Sequence, residues 1–340
     1  MNPIQIPWKT HYYHRNRLDT RDRAIYDYIF DGLQNWKEKI PVPPGRDIDE
    51  IYEIFSLVIR DCPLFFHVDL EMRMISGWDS YILLRYRMSS QEYDVLYKQV
   101  CDFVKRSTVH LRGVQRIYDK VRSIHNSMVS HVIYFGKEED DSHNVIGAIL
   151  KRKAVCESIA KAFKLICDAN YIPCIVVFGR SLSTDGKNYG TVSENDGKIN
   201  HAWNMVKIGE SWYNIDVTFD LSIANFTENG LIRYDYFCRS DRVFRMDHIP
   251  MCKNLPVAKY DHSYYKDNGL YVTDVKSTEQ LIRKMVKDQK MHIAFEYDPF
   301  CFSSEEIRNV AFREITSAYC KTIYTASSPV LPIIGIHLTK

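Results

Sequence analysis

Residues 153–180 read KAVCESIAKAFKLICDANYIPCIVVFGR and predict the central helix and strand of the fold. Four apolar side chains in it recur at helical spacing: Ile159, Phe163, Ile166 and Cys167. This periodicity predicts a buried helix that begins at Cys156. The run 172–180 is almost continuously apolar and has the length of a strand, which is typical of a strand covered on both faces. The sequence therefore places Cys156 at the first turn of a buried helix that leads into a buried strand.

Two further strands are predicted downstream, at 201–208 (HAWNMVKI) and 211–218 (SWYNIDVT). Only Gly209-Glu210 separates them, and glycine at the first of two loop positions is typical of a type II′ hairpin. The Ser-, Thr-, Asn- and Gly-rich segment 181–200 before this hairpin is predicted to be a mobile loop, and a lid over a site is one function for it.

The hairpin register predicts which side chains share a face. With a two-residue loop, Trp203 faces Asp216, and His201 lies one diagonal step away from Asp216 on the same face. Such diagonal neighbours are about 7–8 Å apart, a distance that side chains can bridge. A slip of one residue would send Asp216 to the opposite face. In the predicted register the hairpin offers an imidazole oriented by a carboxylate.

Cys156, His201 and Asp216 together have the composition of a catalytic triad. A thiolate at a helix start is favoured by the helix dipole and by free backbone N–H groups, and an adjacent histidine could protonate a leaving amine. Each residue alone also has an ordinary structural interpretation: a buried thiol, a satisfied strand histidine and a turn-forming aspartate. The residues by themselves leave the catalytic and structural interpretations about even.

Composition excludes several classes of function. The 340 residues include 45 Lys+Arg and 43 Asp+Glu, so the net charge of +2 gives no electrostatic reason to expect nucleic acid or an anionic membrane. Nine cysteines occur without C-x-x-C or H-E-x-x-H spacing, so neither a metal site nor a cofactor is predicted. The start has no signal-like apolar region and no stretch is long enough to span a bilayer, so we expect a soluble, cytoplasmic protein with reduced thiols.

Three segments resemble the transglutaminase-like superfamily, and in particular its bacterial members: 118–134 (YDKVRSIHNSMVSHVIY), 153–180 and 200–220. In the pattern of that family, the Cys of AVCE, the His of HAW and the Asp of NIDVT form the triad. These are Cys156, His201 and Asp216 here. A softer likeness covers most of 20–270. The resemblance implies an α+β fold with a papain-like core, in which the nucleophile helix packs on an antiparallel sheet.

The sequence departs from the family pattern at two places. Many bacterial relatives carry glycine two residues after the nucleophile, whereas this chain has Ser158-Ile159, so we expect an altered acyl pocket. Animal enzymes use an upstream tryptophan to stabilise the oxyanion, and the segment between Trp78 and Trp203 has none. Tyr134 is the substitute candidate, with the role of a core aromatic as its alternative.

Trp203 and Trp212 are candidate substrate platforms, because the predicted register places both on the triad face. Hydrophobic packing is the alternative for each. The resemblance implies attack by Cys156 on the carbonyl of a peptide or protein substrate. If water resolves the resulting thioester, the protein is a peptidase or amidase, and if an amine resolves it, the protein is a cross-linking enzyme. A protein-interaction module that kept the fold without catalysis is the third possibility.

We expect three regions: a helical N-terminal region with a hairpin at 1–110, a transglutaminase-like catalytic core at 111–270, and a small C-terminal α/β appendage at 271–340. The predicted helices are 19–39, 47–60, 90–106, 111–132, 277–289 and 303–318, and the predicted strands are 64–75, 80–88, 291–297 and 331–338. Aromatic-rich loops are expected between 231 and 270.

Overall fold

The computed structural model describes residues 2–136, 140–181, 199–225, 232–315, 322–327 and 330–339. The chain divides into two compact units. The first unit consists of Met1–Phe178, His201–Glu210 and Cys252–Leu255. The second consists of Gly179–Asn200, Ser211–Met251 and Pro256–Lys340. The predicted boundaries at 110 and 270 stay a prediction, and most of the predicted lid at 181–200 lies outside the described residues.

The first unit is built from helices and short sheets. Its helices are α1 (Thr20–Gln34), α2 (Ile48–Asp61), α3 (Ser90–Val109), α4 (Ile117–His131) and α5 (Cys156–Ala169). Its strands are β1 (Lys39–Pro41), β2 (Val68–Ile75), β3 (Tyr81–Tyr86), β4 (Ile133–Tyr134), β5 (Lys153–Ala154), the larger part of β6 (Cys174–Ser181), and β7 (His201–Ile208). The predicted N-terminal hairpin is confirmed, since β2 and β3 pair antiparallel.

Helix α5 is the centre of the first unit. Every residue from Ser158 to Asp168 is buried, as the apolar periodicity predicts. The helix packs on β7 on one side and against α3 and α4 on others. Small side chains at Ala160 and Ala202 allow the close approach of α5 to β7, and the Asn204 side-chain amide donates to the Ala160 carbonyl oxygen at 3.0 Å. The helix that begins at Cys156 is therefore fixed to the strand that begins at His201.

The second unit holds the elements that follow the hairpin turn. Its helices are α6 (Val217–Asn225), α7 (Asp241–Phe244), α8 (Tyr264–Asp267), α9 (Val275–Lys287) and α10 (Ser304–Ile315). Its strands are β8 (Ser211–Ile215), β9 (His248–Pro250), β10 (Tyr271–Val272), β11 (His292–Tyr297), β12 (Thr322–Ser327) and β13 (Ile333–Thr339). Strand β9 pairs antiparallel with the end of β6, at Gly179–Ser181.

The C-terminal part of the second unit is the predicted α/β appendage. Strands β10, β11, β13 and β12 form one sheet in that order, and α9 and α10 pack together. A cluster of buried apolar side chains from Val272 to Leu338 forms a core of its own. Together with α5 and its antiparallel strands, this confirms the predicted α+β fold class.

Several element boundaries differ from the predicted ones. Helix α1 ends at Gln34 rather than 39, because Trp36 adopts φ of 59° and turns the chain toward β1. Helix α4 begins at Ile117 rather than 111, because the chain first turns through Leu111, whose N–H donates to the Thr108 carbonyl oxygen. Short elements α7, β9 and α8 lie in the segment predicted as loops. No helix of the described ranges is long and apolar enough to cross a membrane.

Candidate active site

Cys156 is the first residue of α5 and is half-buried. The residue before it, Val155, is the N-cap, and its side chain supplies no capping hydrogen bond. The first turn of a helix has N–H groups without an intrahelical partner, and these favour negative charge. The fold therefore places Cys156 at a helix start, where backbone N–H groups are available to a developing oxyanion.

The backbone immediately before Cys156 is shaped by a π-helical turn. This turn covers Gly147–Lys151, and Arg152 after it adopts left-handed φ of 59°. At Gly147 an added Cβ would lie 2.5 Å from the Asp141 carbonyl oxygen and 3.0 Å from that of Lys153, so only glycine fits. Single π-helical turns are frequent at functional sites. Nothing in the apolar periodicity of the sequence signals this turn.

Ser158, one of the places where the sequence departs from the pattern of the resembled family, holds the same turn in place. Its hydroxyl is buried, donates to the Asn144 carbonyl oxygen and accepts from the Ala148 N–H at 3.0 Å. These partners are 10 and 14 residues away in sequence, so the contact is not visible in local patterns. The departure from the family pattern thus anchors the loop before the nucleophile.

Glu157, next to Cys156, is held by two cationic or potentially cationic groups. Its carboxylate lies 2.5 Å from the Lys161 Nζ and 2.9 Å from the His143 Nδ1. Burial alone would raise the pKa of Glu157, but the charge of Lys161 and the hydrogen bonds outweigh it and lower the pKa from 4.5 to about 2. The first turn of α5 therefore carries a fixed negative charge beside the thiol at neutral pH.

His201 begins β7 and is 2% exposed. Its ring stacks on Trp203, with 6.1 Å between ring centroids, and Trp203 is also buried. Gly209, after β7, has φ of 60°, the positive value that the first loop position of a type II′ turn requires. Trp212 in β8 and Tyr134 in β4 are half-buried. Tyr134 pairs with Ala154, two residues before Cys156, so β4 runs beside the segment that delivers the nucleophile.

Asp216 lies between β8 and α6 rather than inside a strand, which corrects the predicted strand 211–218. Its Oδ1 accepts from the backbone N–H groups of Thr218 and Phe219, at 2.8 and 3.1 Å. An aspartate carboxylate is among the best acceptors for the orphan N–H groups of a helix start, and this ends the strand. The carboxylate is 1% exposed, and its Oδ2 lies 3.0 Å from the Nε2 of His248.

His248 is a residue that sequence reasoning missed. It begins β9, is fully buried, and its Nδ1 lies 2.6 Å from the Oδ1 of Asp247. The Tyr236 hydroxyl donates to the other oxygen of Asp247 at 2.5 Å. The only local signal is the dipeptide Asp247-His248, within a segment without periodicity. Imidazole and carboxylate are metal-ligand types, but each ring nitrogen of His248 already contacts a carboxylate oxygen.

A family model described as the transglutaminase-like superfamily matches residues 105–217, which contain Cys156, His201 and Asp216. The chain carries a transglutaminase-like core. The predicted resemblance to this superfamily is thereby confirmed for the matched segment, which contains α4, α5 and the strands that begin at Cys174 and His201.

Curated relatives match part of this chain. Kyphoscoliosis peptidase of Mus musculus and that of Homo sapiens are each 27% identical over 161 residues. The match covers 45% of this chain and 24% of each relative, so the chain aligns with about a quarter of their length. A solved structure described as a TGase is 11% identical and has a TM-score of 0.29, with 53% of this chain and 50% of that chain covered.

The candidate residues of the transglutaminase-like core lie on elements of both units. In the first unit, the helix that begins at Cys156 packs on the strand that begins at His201. In the second unit, Asp216 caps α6 and contacts His248. The catalytic roles of all three residues, and the substrate roles of Tyr134, Trp203 and Trp212, stay predictions.

Proposed function

We propose that this chain is a cysteine-dependent acyl-transfer enzyme that hydrolyses a peptide or carboxamide bond through a thioester on Cys156. The observation that carries this proposal is the half-buried thiol at the uncapped start of α5, on a helix packed against the strand that begins with His201. The match of residues 105–217 to the transglutaminase-like family model supports the proposal, and so does the word peptidase in the name of the curated relatives.

The proposed acylation uses groups at the start of α5. The Cys156 thiolate attacks the substrate carbonyl carbon, a C–S bond forms, and the carbonyl electron pair moves onto oxygen. Backbone N–H groups at the start of α5, including that of Cys156, stabilise the oxyanion. When the intermediate collapses, the C–N bond breaks and protonated His201 gives its proton to the leaving amine. Tyr134 is the proposed additional oxyanion donor, because β4 lies beside the segment that ends at Cys156.

In the proposed deacylation, water attacks the thioester. His201 takes a proton from the water, the C–S bond breaks, and the Cys156 thiolate returns with release of the acid. Asp216 orients the His201 ring through both steps, which is the role of the acidic member of such triads.

The test is an intact-mass search for an acyl adduct during turnover of peptide and glutamine-containing pools, with and without an added amine. We expect an adduct on wild type, none on Cys156→Ala, and product acid in the absence of amine. Cys252→Ala is the matched control, because Cys252 is the other half-buried thiol among the described cysteines, and it should keep the adduct.

Other outcomes would overturn the proposal in distinct ways. Turnover that requires the amine, with no product acid, would identify a cross-linking enzyme. Neither adduct nor product with any pool, together with Cys156 labelling no faster than the other thiols, would identify a binding module. Adduct and turnover retained in Cys156→Ala would remove the assigned nucleophile.

A further inference from the structure

The second unit contains a buried imidazole between two carboxylates. The His248 ring contacts Asp216 through Nε2 at 3.0 Å and Asp247 through Nδ1 at 2.6 Å. All three side chains are at most 2% exposed. Asp247 is itself held by the Tyr236 hydroxyl, so a continuous chain of hydrogen bonds runs from Tyr236 to Asp216. Burial of a polar group costs free energy unless the group is hydrogen-bonded, so these hydrogen bonds are needed to keep the three side chains buried.

The number of hydrogen-bond donors in the network determines how Asp216 is held. An ionised carboxylate can only accept, and a neutral imidazole has a single N–H. Donation from both ring nitrogens of His248 therefore requires the protonated ring, or else one carboxyl group holds the shared proton. In each case the Asp216 oxygen that faces His248 is fixed by a proton between the two groups.

Aromatic rings enclose the His248 side chain. Phe244 lies 4.1 Å from the imidazole between ring centroids, Phe219 lies at 4.7 Å and Tyr236 at 5.3 Å. These rings exclude water and lower the local dielectric constant, which strengthens the contacts of His248 with the carboxylates. The ring can also not rotate away without displacing packed side chains.

We propose that His248 is a positioning residue that fixes the Asp216 carboxylate for its role as the partner of His201. This inference rests on the proposed function. Backbone N–H groups of Thr218 and Phe219 hold one oxygen of Asp216, and His248 holds the other. A carboxylate held at both oxygens cannot rotate about its terminal torsion. Each oxygen has two lone pairs, so the contact with His248 leaves acceptor capacity for a second donor.

Two substitutions separate the contacts of His248. In His248→Gln the terminal amide nitrogen can reach the place of Nε2, so the donor to Asp216 is kept. In His248→Asn the shorter side chain can replace Nδ1 only, so the donor to Asp216 is lost and the one to Asp247 is kept. We expect His248→Asn to lower kcat by roughly 10- to 100-fold at nearly constant KM, the range for removal of an outer partner of a functional group. His248→Gln should stay within about 3-fold of wild type, a difference well under 1 kcal/mol.

The second readout needs no substrate. The rate of iodoacetamide labelling of Cys156 is measured across pH by mass spectrometry. The pH dependence of this rate should differ from wild type in His248→Asn and match wild type in His248→Gln. Asp216→Asn should change the pH dependence of the labelling rate in the same way as His248→Asn. The double variant Asp216→Asn/His248→Asn should show no further change, because His248 acts through Asp216. Urea unfolding of each variant gives its free energy of unfolding and shows whether a change in kcat or in labelling results only from lost stability.

Labelling profiles and kcat that are the same in wild type and His248→Asn would overturn the positioning role. So would equal losses in the Asn and Gln variants that track their stabilities. Failure of the proposed function looks different: peptide turnover would survive Cys156→Ala, while the effect of His248→Asn on Cys156 labelling would persist.

Discussion

Replacement of Lys161 by methionine tests whether the first turn of the nucleophile helix depends on its buried charge pair. Lys161 donates to the Glu157 carboxylate at 2.5 Å and to the His143 carbonyl oxygen at 3.1 Å, and its side chain is 4% exposed. Methionine keeps the length and apolar stem of the side chain and removes the charge. In the variant the largely buried Glu157 carboxylate loses Lys161 and keeps its hydrogen bond with His143.

The pKa of Glu157 sets the size of the effect. Its lowering from 4.5 to about 2 corresponds to about 3 kcal/mol of stability at neutral pH. Because the folded-state pKa is below the unfolded value, this stability is fully present above pH 4.5 and is lost as pH falls toward 2. Removal of one partner of a buried pair typically costs 3–5 kcal/mol, so we expect Lys161→Met to lower the free energy of unfolding by about 3 kcal/mol at pH 7.

The assay is urea unfolding followed by circular dichroism, at pH 7 and at pH 3. At pH 3 the wild type has already lost part of the Glu157 contribution, whereas the variant has little to lose, so the gap between them should narrow by about 2 kcal/mol. Lys207→Met is the control, because Lys207 pairs with the exposed Glu210, and it should cost less than about 1 kcal/mol. A gap below about 1 kcal/mol at pH 7, or an equal gap at both pH values, would show that the Lys161–Glu157 pair does not stabilise the fold in this way.

Three further substitutions test the supports around α5. Gly147→Ala should destabilise the chain by more than about 2 kcal/mol in urea unfolding, because its Cβ would meet two carbonyl oxygens, while Gly113→Ala, with open space around it, should be near neutral. Lys164→Met should cost about 3–5 kcal/mol, since the fully buried ammonium pairs with the Asp168 carboxylate at 3.0 Å, and a loss no larger than that of Lys207→Met would contradict this. Ser158→Ala should cost about 1–3 kcal/mol because the buried Ala148 N–H loses its acceptor, and a neutral result would show that the turn does not need it.

The parts of the fold that the sequence predicted are those with local periodic signals. Helix α5 has its apolar side chains at helical spacing from Cys156 onward, and β6 is a continuous apolar run, so both elements were predictable without knowledge of their partners. The turn at Gly209 was predictable because glycine at that position has a specific conformational reason.

The unpredicted parts depend on contacts between distant residues. Asp216 reads as a strand residue because the alternation before it is strand-like, and only the start of α6 makes it a cap. His248 contacts Asp216 across 32 residues, from a segment without a periodic pattern. The hydroxyl of Ser158 reaches Asn144 across 14 residues. Such pairings are determined by tertiary packing, and the sequence pattern of a single segment does not predict them.

In the proposed function, Cys156 forms a thioester during hydrolysis of a peptide or carboxamide bond. The most direct measurement is acid quench of the enzyme during turnover of a peptide substrate, followed by proteolytic mapping of the acylated cysteine. We expect an acyl group on the peptide that contains Cys156, and its decay without added amine should yield the product acid. Accumulation of product acid with Cys156 never acylated, or with the acyl group on another cysteine, would contradict it.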